Sequence, residues 1–301
     1  MPAHVDLSGC SLQRECAQIH SDVAQLATGH RPHKFIGNKL IHKTKKRFGQ
    51  NFLHDAGVIQ RIVQAVSPQP GQRIVEIGPG QGAITLPLLD ACGKLEVVEL
   101  DRDLIQPLAD KAAGHGELII HQQDVLKFDF TALAGDDRLR VVGNLPYNIS
   151  TPLLFHLIRQ APVIQDMHFM LQKEVVERLS AAPGNGDYGR LSVMIQYHCK
   201  VDPLFRVKSG AFTPAPRVDS AVVRLTPWQQ PPAALDQYAD LSRLVREAFS
   251  QRRKTLRNTL KQLLSIEHIE AAGVDPRARP ETLTLEQYVA LANQLTRLQQ
   301  D

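Results

Sequence analysis

Short apolar runs alternate with helical patterns along most of this chain, and this alternation constrains the fold more than any other feature. Apolar runs typical of buried strands lie at 73–77, 95–100, 117–121, 139–143 and 167–171. Patterns typical of helices lie at 58–66, 83–91, 101–112, 150–159 and 172–181. Strands and helices in this order form βαβ units with right-handed crossovers, so the sequence predicts an α/β fold with a mostly parallel, doubly wound sheet.

The segments that follow predict how this sheet ends. A helical stretch at 190–199 precedes two segments, 200–207 and 218–225, which we expect to close the sheet as an antiparallel pair. Prolines then accumulate at 226–234, which is typical of a linker. The sequence therefore predicts that the sheet-forming part of the chain ends near residue 227.

The two ends of the chain differ from the sheet-forming part. From Leu241 to Leu264, apolar residues recur at helical spacing, which predicts a helical C-terminal segment. The first part of the chain shows neither a helical nor a strand period. We therefore expect an unstructured extension at 1–44, a sheet-containing domain at 45–227 and a small helical domain at 228–301.

Composition excludes several classes of protein. Of the 301 residues, 43% are apolar and 22% are charged, which is the usual globular mix and excludes a disordered chain. No apolar run approaches the roughly 18 residues of a membrane-spanning helix, so no membrane partner is expected. The cysteines form no C-x-x-C pair, which argues against a zinc site and predicts a reducing, cytoplasmic location. We expect no metal, and we expect the protein to act as a monomer.

Basic residues are concentrated in two blocks, although the net charge is only +4. No acidic residue occurs between Asp22 and Asp55, and this first block ends in Lys45, Lys46 and Arg47. In the second block, from 243 to 261, a single glutamate opposes seven basic residues. Either block by itself fits a solvated protein face, whereas the two together favour a polyanionic partner such as a nucleic acid.

Part of the second block has helical spacing. Arg253, Arg257 and Lys261 follow one another at every fourth residue, so a helix is expected to present them as one stripe. On such a helix Leu256, Leu260, Leu263 and Leu264 would face the core.

A glycine-rich turn follows the first predicted strand of the sheet. Gly78, Gly80 and Gly82 give G-x-G-x-G, which departs from the G-x-G-x-x-G fingerprint of dinucleotide sites. Glycines let the backbone turn tightly and approach a ligand closely. Glu99 ends the next strand, where a carboxylate can accept hydrogen bonds from ribose hydroxyls. A structural turn beside a surface glutamate would give the same pattern, but the two positions together favour a nucleoside-type cofactor.

The glycine spacing favours S-adenosylmethionine over NAD, because the sulfonium cofactor has no phosphates to cradle. Asp124 follows the third strand, where its carboxylate can accept from an adenine amino group while the Val125 N–H faces the ring. An aspartate that only caps its own loop is the alternative.

The segment Asn144–Ser150 (NLPYNIS) follows the fourth strand and is the most specific signal in the chain. Its Asn-Leu-Pro-Tyr run is similar to a motif of methyltransferases for exocyclic amines, which implies a target such as the adenine amino nitrogen. That nitrogen is a poor nucleophile because its lone pair is delocalised into the ring. The Asn144 side-chain oxygen and the Leu145 carbonyl can accept its two hydrogens, while Pro146 stiffens the turn. Tyr147 offers a face on which a flipped base can stack. An ordinary Asn-Pro turn would explain neither the tyrosine nor the position.

Asn-Leu-Pro-Tyr resembles the Asn/Asp-Pro-Pro-Tyr motif of methyltransferases that act on exocyclic amines. The wider chain resembles one family, the ribosomal RNA adenine N6-dimethyltransferases of the small subunit. The segments that carry this resemblance are KKRFGQNFL (45–53), EIGPGQGAIT (76–85), ELDRDL (99–104), GNLPYNISTPLLFHL (143–157), HFMLQKEVVERL (168–179), YGRLSVMIQY (188–197), AFTPAPRVDSAVVRL (211–225) and QRRKTLRN (251–258).

This resemblance implies a Rossmann-like class I methyltransferase core followed by a small helical domain. It implies that S-adenosylmethionine is used to dimethylate two adjacent adenosines in a hairpin loop near the 3′ end of 16S rRNA, within the immature small ribosomal subunit. Residues 1 to about 44 have no counterpart in the usual bacterial pattern of the family.

The resemblance also implies roles for individual residues. Asn51 and Leu53 would close over the methionine end of the cofactor, and Gly78 and Gly80 would lie beneath it. Glu99 would bind the ribose, and Asp124 and Val125 would contact the adenine. Asn144 would contact both the cofactor and the target amine, and Phe212 would be a second aromatic opposite Tyr147. RNA phosphates would contact Lys45, Lys46, Arg47, Arg252, Arg253, Lys254 and Arg257.

Three alternatives stay open at this point. The large-subunit rRNA adenine methyltransferase that confers macrolide resistance shares the fold and the Asn-(Leu/Ile)-Pro-Tyr loop. The segments QRRKTLRN and FTPAPRVDS favour the small-subunit enzyme instead. A non-catalytic ribosome-assembly or transcription factor is disfavoured by the intact Asn144, Tyr147 and Glu99, and a dehydrogenase is disfavoured by the glycine spacing.

Overall fold

The computed structural model describes residues 50–251 and 253–300. The predicted extension at 1–44, the basic residues Lys45, Lys46 and Arg47, and Arg252 lie outside the described residues. The RNA-binding and disorder predictions for those positions therefore stay predictions.

The described strands form one mixed sheet of seven strands and a separate two-stranded pair. They are β1 (Phe52–Leu53), β2 (Ile74–Ile77), β3 (Lys94–Glu99), β4 (Glu117–Gln122), β5 (Leu139–Asn144), β6 (Ile164–Gln172), β7 (Cys199–Val207), β8 (Phe212–Thr213) and β9 (Ser220–Pro227). The order across the large sheet is β4-β3-β2-β5-β6-β9-β7. From β4 to β6 all neighbours are parallel, and β9 is antiparallel to both β6 and β7. The predicted parallel sheet with an antiparallel closing pair is confirmed.

Helices cover both faces of the large sheet. The described α-helices are α1 (Ala56–Val66), α2 (Thr85–Cys92), α3 (Arg102–Ala112), α4 (Phe130–Ala134), α5 (Ser150–Ile158), α6 (Lys173–Ser180), α7 (Arg190–His198), α8 (Tyr238–Ala248), α9 (Leu256–Thr259), α10 (Ile266–Ala271) and α11 (Leu285–Arg297). One core contains buried residues of α1, α2 and α3, and the core on the opposite face contains those of α4 to α7. This two-sided packing is the predicted doubly wound arrangement. Across the described residues, no helix is long and apolar enough to span a membrane.

Strand residues alternate between these two cores, as the period of two requires. Val141 packs in the core of α4 to α7, and its neighbour Val142 packs in the core of α1 to α3. Helix starts are fixed by capping aspartates: the Asp55 carboxylate accepts from Val58 N at 2.9 Å, and Asp101 accepts from Asp103 N at 3.3 Å. The capped N-termini of α1 and α3 lie at one edge of the sheet.

The C-terminal helices form a third core together with α7. Leu241, Leu244 and Leu291 are fully buried there, alongside Met194 of α7. Tyr288 is also fully buried, and its hydroxyl donates to the Pro280 carbonyl at 2.6 Å. The helical character predicted beyond residue 227 is present, since β9 ends at Pro227 and α8 begins at Tyr238.

The predicted basic stripe on a single helix is wrong. The helix in this region is only Leu256–Thr259, so Arg253 and Lys261 lie in turns on either side of it. The physical reason is tertiary, because Leu256 N donates to Ala278 O at 2.9 Å and Arg257 N donates to Pro276 O at 3.0 Å. These bonds to the 276–278 loop replace the bonds of a continuous helix. Leu256, Leu260 and Leu264 are buried as expected, and Leu263 is half-buried.

Candidate active site at the carboxyl edge of the sheet

The carboxyl ends of three neighbouring strands place the predicted cofactor and amine residues together. In the parallel register, Ile77 of β2 pairs with Val98 of β3 on one side and with Gly143 of β5 on the other. The residues that follow are the glycine turn, Glu99 and Asn144. Ligands of open α/β sheets bind at such an edge, where the strand order reverses.

The glycine turn leaves room for a ligand above its first residue. Gly78 has φ +65°, and its N–H donates to Val98 O at 2.9 Å. A Cβ added there would meet no atom of the described residues within 4 Å, so these residues leave the space over this backbone open. Gly80, at φ +57°, is different, because an added Cβ would lie 3.2 Å from the Phe52 ring. Phe52 therefore closes the far end of the turn.

Backbone donors fix the Glu99 carboxylate. Gly80 N donates to Oε2 at 3.3 Å, and Asp101 N donates to Oε1 at 2.8 Å. The residue is 7% exposed, and burial raises the pKa of the carboxyl while the two backbone donors act in the opposite direction. The carboxylate is therefore an oriented acceptor beside the glycine turn.

Glu76 is a residue that the sequence predictions missed. It lies inside β2, is 1% exposed, and its Oε2 has no hydrogen-bond partner among the described residues. Burial, with a smaller contribution from the nearby Glu99, raises its pKa to about 8. A neutral carboxyl with an unpartnered oxygen thus lies beneath the glycine turn. The sequence feature that could have indicated Glu76 as a site residue is an acidic residue within an otherwise apolar strand.

The segment 50–54 crosses over this edge of the sheet. Gln50 Nε2 donates to Asp101 Oδ2 at 3.1 Å, and the Asn51 carbonyl accepts from Asn144 Nδ2 at 3.1 Å. His54 N donates to Ala211 O at 3.0 Å. The predicted site residues Asn51 and Leu53 are therefore brought to the glycine turn and Asn144. Gln50 and Phe52, which complete this crossing, were not predicted as site residues although they belong to the same motif.

The turn after β5 is held tightly in place. A Cβ added at Gly143 would lie 2.7 Å from the Ile77 carbonyl oxygen, so only glycine allows the two strands to approach in this way. Leu145 N donates to Met170 O at 3.1 Å. Because Asn144 Nδ2 faces the Asn51 carbonyl, its Oδ1 must point away from that carbonyl. The amide oxygen is thereby oriented before any ligand binds.

Tyr147 is fixed at its hydroxyl end. The hydroxyl is 2.7 Å from Ser220 Oγ, and the ring is half-buried. Burial is the main reason why the pKa of the Tyr147 hydroxyl is raised, so the group keeps its proton at neutral pH. Pro146 and Tyr147 belong to the turn that leads into α5, where Ile149 N donates to Pro146 O at 3.2 Å.

Three further predicted residues, Asp124, Val125 and Phe212, occupy less open positions. Asp124 Oδ1 accepts from Leu126 N at 3.0 Å, so the carboxylate caps the short 3-10 turn Val125–Lys127, and Val125 is 7% exposed. Phe212 is 3% exposed in the strand pair with Leu53. Their proposed contacts with adenine and with the target base stay predictions.

The described basic residues of the second block lie on the surface. Arg253, Lys254, Arg257 and Lys261 are all exposed. They belong to the C-terminal helical part, around the short helix Leu256–Thr259.

The topology and this edge define the chain as a class I methyltransferase with a Rossmann-like core. Two solved structures share its fold. A dimethyladenosine transferase from Plasmodium falciparum matches with a TM-score of 0.69 and 25% identity, over 79% of this chain and 95% of that one. The 23S rRNA methyltransferase ErmE matches with a TM-score of 0.63 and 27% identity, over 82% of this chain and all of that one.

Within that class, the chain belongs to the ribosomal RNA adenine dimethylase family, whose family model matches residues 41–297. A relative from Pseudomonas aeruginosa, called Ribosomal RNA small subunit methyltransferase A, is 63% identical over 85% of this chain and 96% of its own length. A relative of the same name from Nitrosococcus oceani is 60% identical over 84% of this chain and 97% of its own. The family resemblance expected from the motifs is confirmed.

Proposed function

We propose that this chain uses S-adenosylmethionine to dimethylate the N6 amino groups of two adjacent adenosines in a hairpin loop near the 3′ end of 16S rRNA. The substrate would be the immature small ribosomal subunit. The observation that carries this proposal is the fixed Asn144 amide, whose Nδ2 donates to the Asn51 carbonyl at the carboxyl edge of the sheet. Tyr147 follows in the same turn, with its hydroxyl held by Ser220. A monomeric state and a cytoplasmic location stay predictions.

The residues around the glycine turn fit the cofactor. The open space over Gly78 accepts a ligand close to the backbone, and Phe52 at Gly80 limits how far that ligand extends. The oriented Glu99 carboxylate suits the ribose hydroxyls, and Asn51 and Leu53 would cover the methionine end. The unpartnered Glu76 Oε2 marks a buried polar position that a bound polar group could satisfy. When bound, S-adenosylmethionine supplies an electrophilic methyl group.

The chain's own contribution to the transfer is to hold the target amine. Asn144 Oδ1 and the Leu145 carbonyl would accept the two N6 hydrogens, which leaves the nitrogen lone pair directed at the methyl group. The bound cofactor would supply the methyl group, and the methylated nitrogen would release its proton to water. Positioning and fixed dipoles account for the rate, so no dedicated general base is needed.

Tyr147 would stack on the flipped adenine, with Phe212 as the predicted second aromatic. Unstacking costs a few kcal/mol, which a stacked aromatic contact offsets. The exposed arginines and lysines at 253–261 would contact phosphates, which add affinity without base specificity.

The large-subunit alternative has weaker support. ErmE, the neighbour whose name includes 23S rRNA, is 27% identical, whereas several relatives named for the small subunit are about 60% identical. Since both kinds of enzyme share the fold, the substrate has to be settled by mapping.

The deciding experiment incubates the protein with unmethylated small subunits and labelled S-adenosylmethionine, and then maps the label. We expect two neighbouring adenosines of the small-subunit rRNA to carry two methyl groups each. Purified large subunits serve as the parallel substrate. Label found in large-subunit rRNA, or no label in either, would overturn the proposal.

A further inference from the structure

Ser220 holds the Tyr147 ring, although no motif in the sequence assigns it a role. Its Oγ is 2.7 Å from the Tyr147 hydroxyl oxygen, and the residue has no exposed surface. The two residues are 73 positions apart in the sequence. Only the fold brings them together, at the edge of the sheet that carries Asn144.

The strand position of Ser220 makes its hydroxyl a rigid anchor. As the first residue of β9, it pairs with Gln172 of β6 on one side and with Val207 of β7 on the other. The preceding residue is fixed as well, because the Asp219 carbonyl accepts from Lys173 N at 2.9 Å and its carboxylate accepts from Ser209 N at 3.1 Å. The Ser220 hydroxyl therefore lies where three strands are fixed to one another.

Tyr147 is held at both of its ends. Its backbone carbonyl accepts from Ser150 Oγ at 3.1 Å, and its hydroxyl is bound to Ser220. A tyrosine side chain has two rotatable bonds between its backbone and its hydroxyl. The contact with Ser150 fixes only the backbone, and the contact with Ser220 restricts rotation about those two bonds. The direction of the ring face is then set before a base arrives, and such preorganisation lowers the cost of reaching the reactive geometry.

We propose that Ser220 is a positioning residue for methyl transfer, acting through Tyr147 to orient the face on which the target adenine stacks. This inference rests on the proposed role of Tyr147. Because Ser220 is buried, it would touch neither the cofactor nor the base. Its loss should slow the chemical step while leaving the binding of S-adenosylmethionine and of small subunits unchanged.

The test measures single-turnover methylation of unmethylated small subunits, with subunit and cofactor both saturating. Ser220→Ala should lower the rate about three- to tenfold, the range expected when one net hydrogen bond is lost. Tyr147→Phe removes the same bond from the other side without touching β9, and it should lower the rate equally. The double variant should be no slower than either single one. Ser220→Thr, which keeps the hydroxyl, should restore most of the rate.

Ser192→Ala is the matched control, because Ser192 is also fully buried and its hydroxyl donates to the Arg178 carbonyl at 2.5 Å. It should lower the melting temperature without changing the rate. A wild-type rate in Ser220→Ala or in Tyr147→Phe, or a further loss in the double variant, would overturn the inference. If wild-type protein methylates no small subunit, the proposed function fails instead, so the two failures are distinguishable.

Discussion

The Asn144 side chain has a defined orientation because a neighbouring backbone group fixes it. Its Nδ2 group donates to the Asn51 carbonyl at 3.1 Å, and this bond decides which way the amide oxygen faces. Glu99 is fixed in a similar way by the N–H groups of Gly80 and Asp101. At the residue scale the site is therefore a set of acceptors that are oriented in advance by backbone groups.

Replacing Asn144 by alanine should reduce kcat far more than cofactor binding. The variant removes one of the two acceptors for the target amine, and this contact tightens as the nitrogen becomes tetrahedral. A loss of roughly 10²–10³-fold is expected by analogy with removing one oxyanion-hole donor. Single-turnover methylation of purified subunits measures it, and Asn148→Ala in the same turn, where Asn148 is exposed, is the control. A wild-type rate in Asn144→Ala would remove this turn from the chemistry.

Glu99→Ala should weaken S-adenosylmethionine binding by about 1–3 kcal/mol, because buried polar partners are left unpaired. Titration calorimetry measures the change, and Glu117→Ala, at an exposed position on β4, should leave affinity unchanged. An unaltered affinity in Glu99→Ala would exclude this carboxylate from the cofactor site.

Glu76→Gln should stabilise the cofactor-free protein at pH 7.5 but much less at pH 5. The pKa of Glu76 is raised to about 8, so between pH 4.5 and 8 the folded state holds a proton that the unfolded state lacks. Stability is therefore lost as pH rises through this window, by a few kcal/mol in total at most. Glutamine resembles the neutral acid and removes this linkage. Urea unfolding at the two pH values measures it, and an equal effect at both would show that Glu76 does not titrate there.

At the scale of elements, the segment 50–54 joins three parts of the fold at the carboxyl edge of the sheet. It reaches Asp101 at the start of α3, Asn144 at the end of β5, and Ala211 before β8. The C-terminal basic residues belong to a different element, the short helix α9 and the turns beside it. The described part of the second basic block is therefore separate from the segment that crosses the glycine turn.

Charge reversal of Arg253, Arg257 and Lys261 should raise KM for small subunits without changing cofactor affinity. The three side chains are exposed but lie on one short helix and two turns, so they need not act as one stripe. Each lost phosphate contact should flatten the salt dependence of binding by about one unit of slope. Binding measured over a salt series decides the matter, and an unchanged slope would mean that the three residues form only a solvated surface.

At the scale of the whole molecule, the packing between α7 and the C-terminal helices includes a half-buried histidine, His198, whose Nε2 atom is buried. The His198 ring packs edge-on against Tyr197 and Tyr238, and its Nε2 has no partner among the described residues. Burial lowers its pKa to about 4. Protonation at this position therefore opposes the packing of α7 against α8.

His198→Phe should weaken the pH dependence of stability between pH 4 and 6.5. In that window the unfolded state binds a proton that the folded state excludes, so stability falls as pH falls, by about 1.4 kcal/mol per unit. Phenylalanine keeps the ring contacts and cannot be protonated. Urea unfolding at pH 5 and pH 7 measures the change, with the exposed His54→Phe as control. If the two variants show the same pH slope as the wild type, His198 is not a buried neutral group.

The amino-acid sequence by itself determined the order of strands and helices, the glycine turn and the Asn144–Tyr147 turn. Each depends on local features, such as apolar periods, glycine at positive φ and proline, which act over a few residues. Those features also carried the family resemblance. The same local patterns predicted one helix carrying Arg253, Arg257 and Lys261, whereas bonds from Leu256 N and Arg257 N to the 276–278 loop make the helix start only at Leu256.

Only the tertiary structure decided which distant residues meet. The contact of Tyr147 with Ser220 and that of Asn51 with Asn144 span 73 and 93 residues, and no local pattern encodes such pairs. The raised pKa of Glu76 likewise follows from the burial of its carboxyl within β2, which arises only when the sheet and its helices pack. Strand register and packing set these contacts because they depend on the whole sheet, whereas the period of a segment depends only on its own residues.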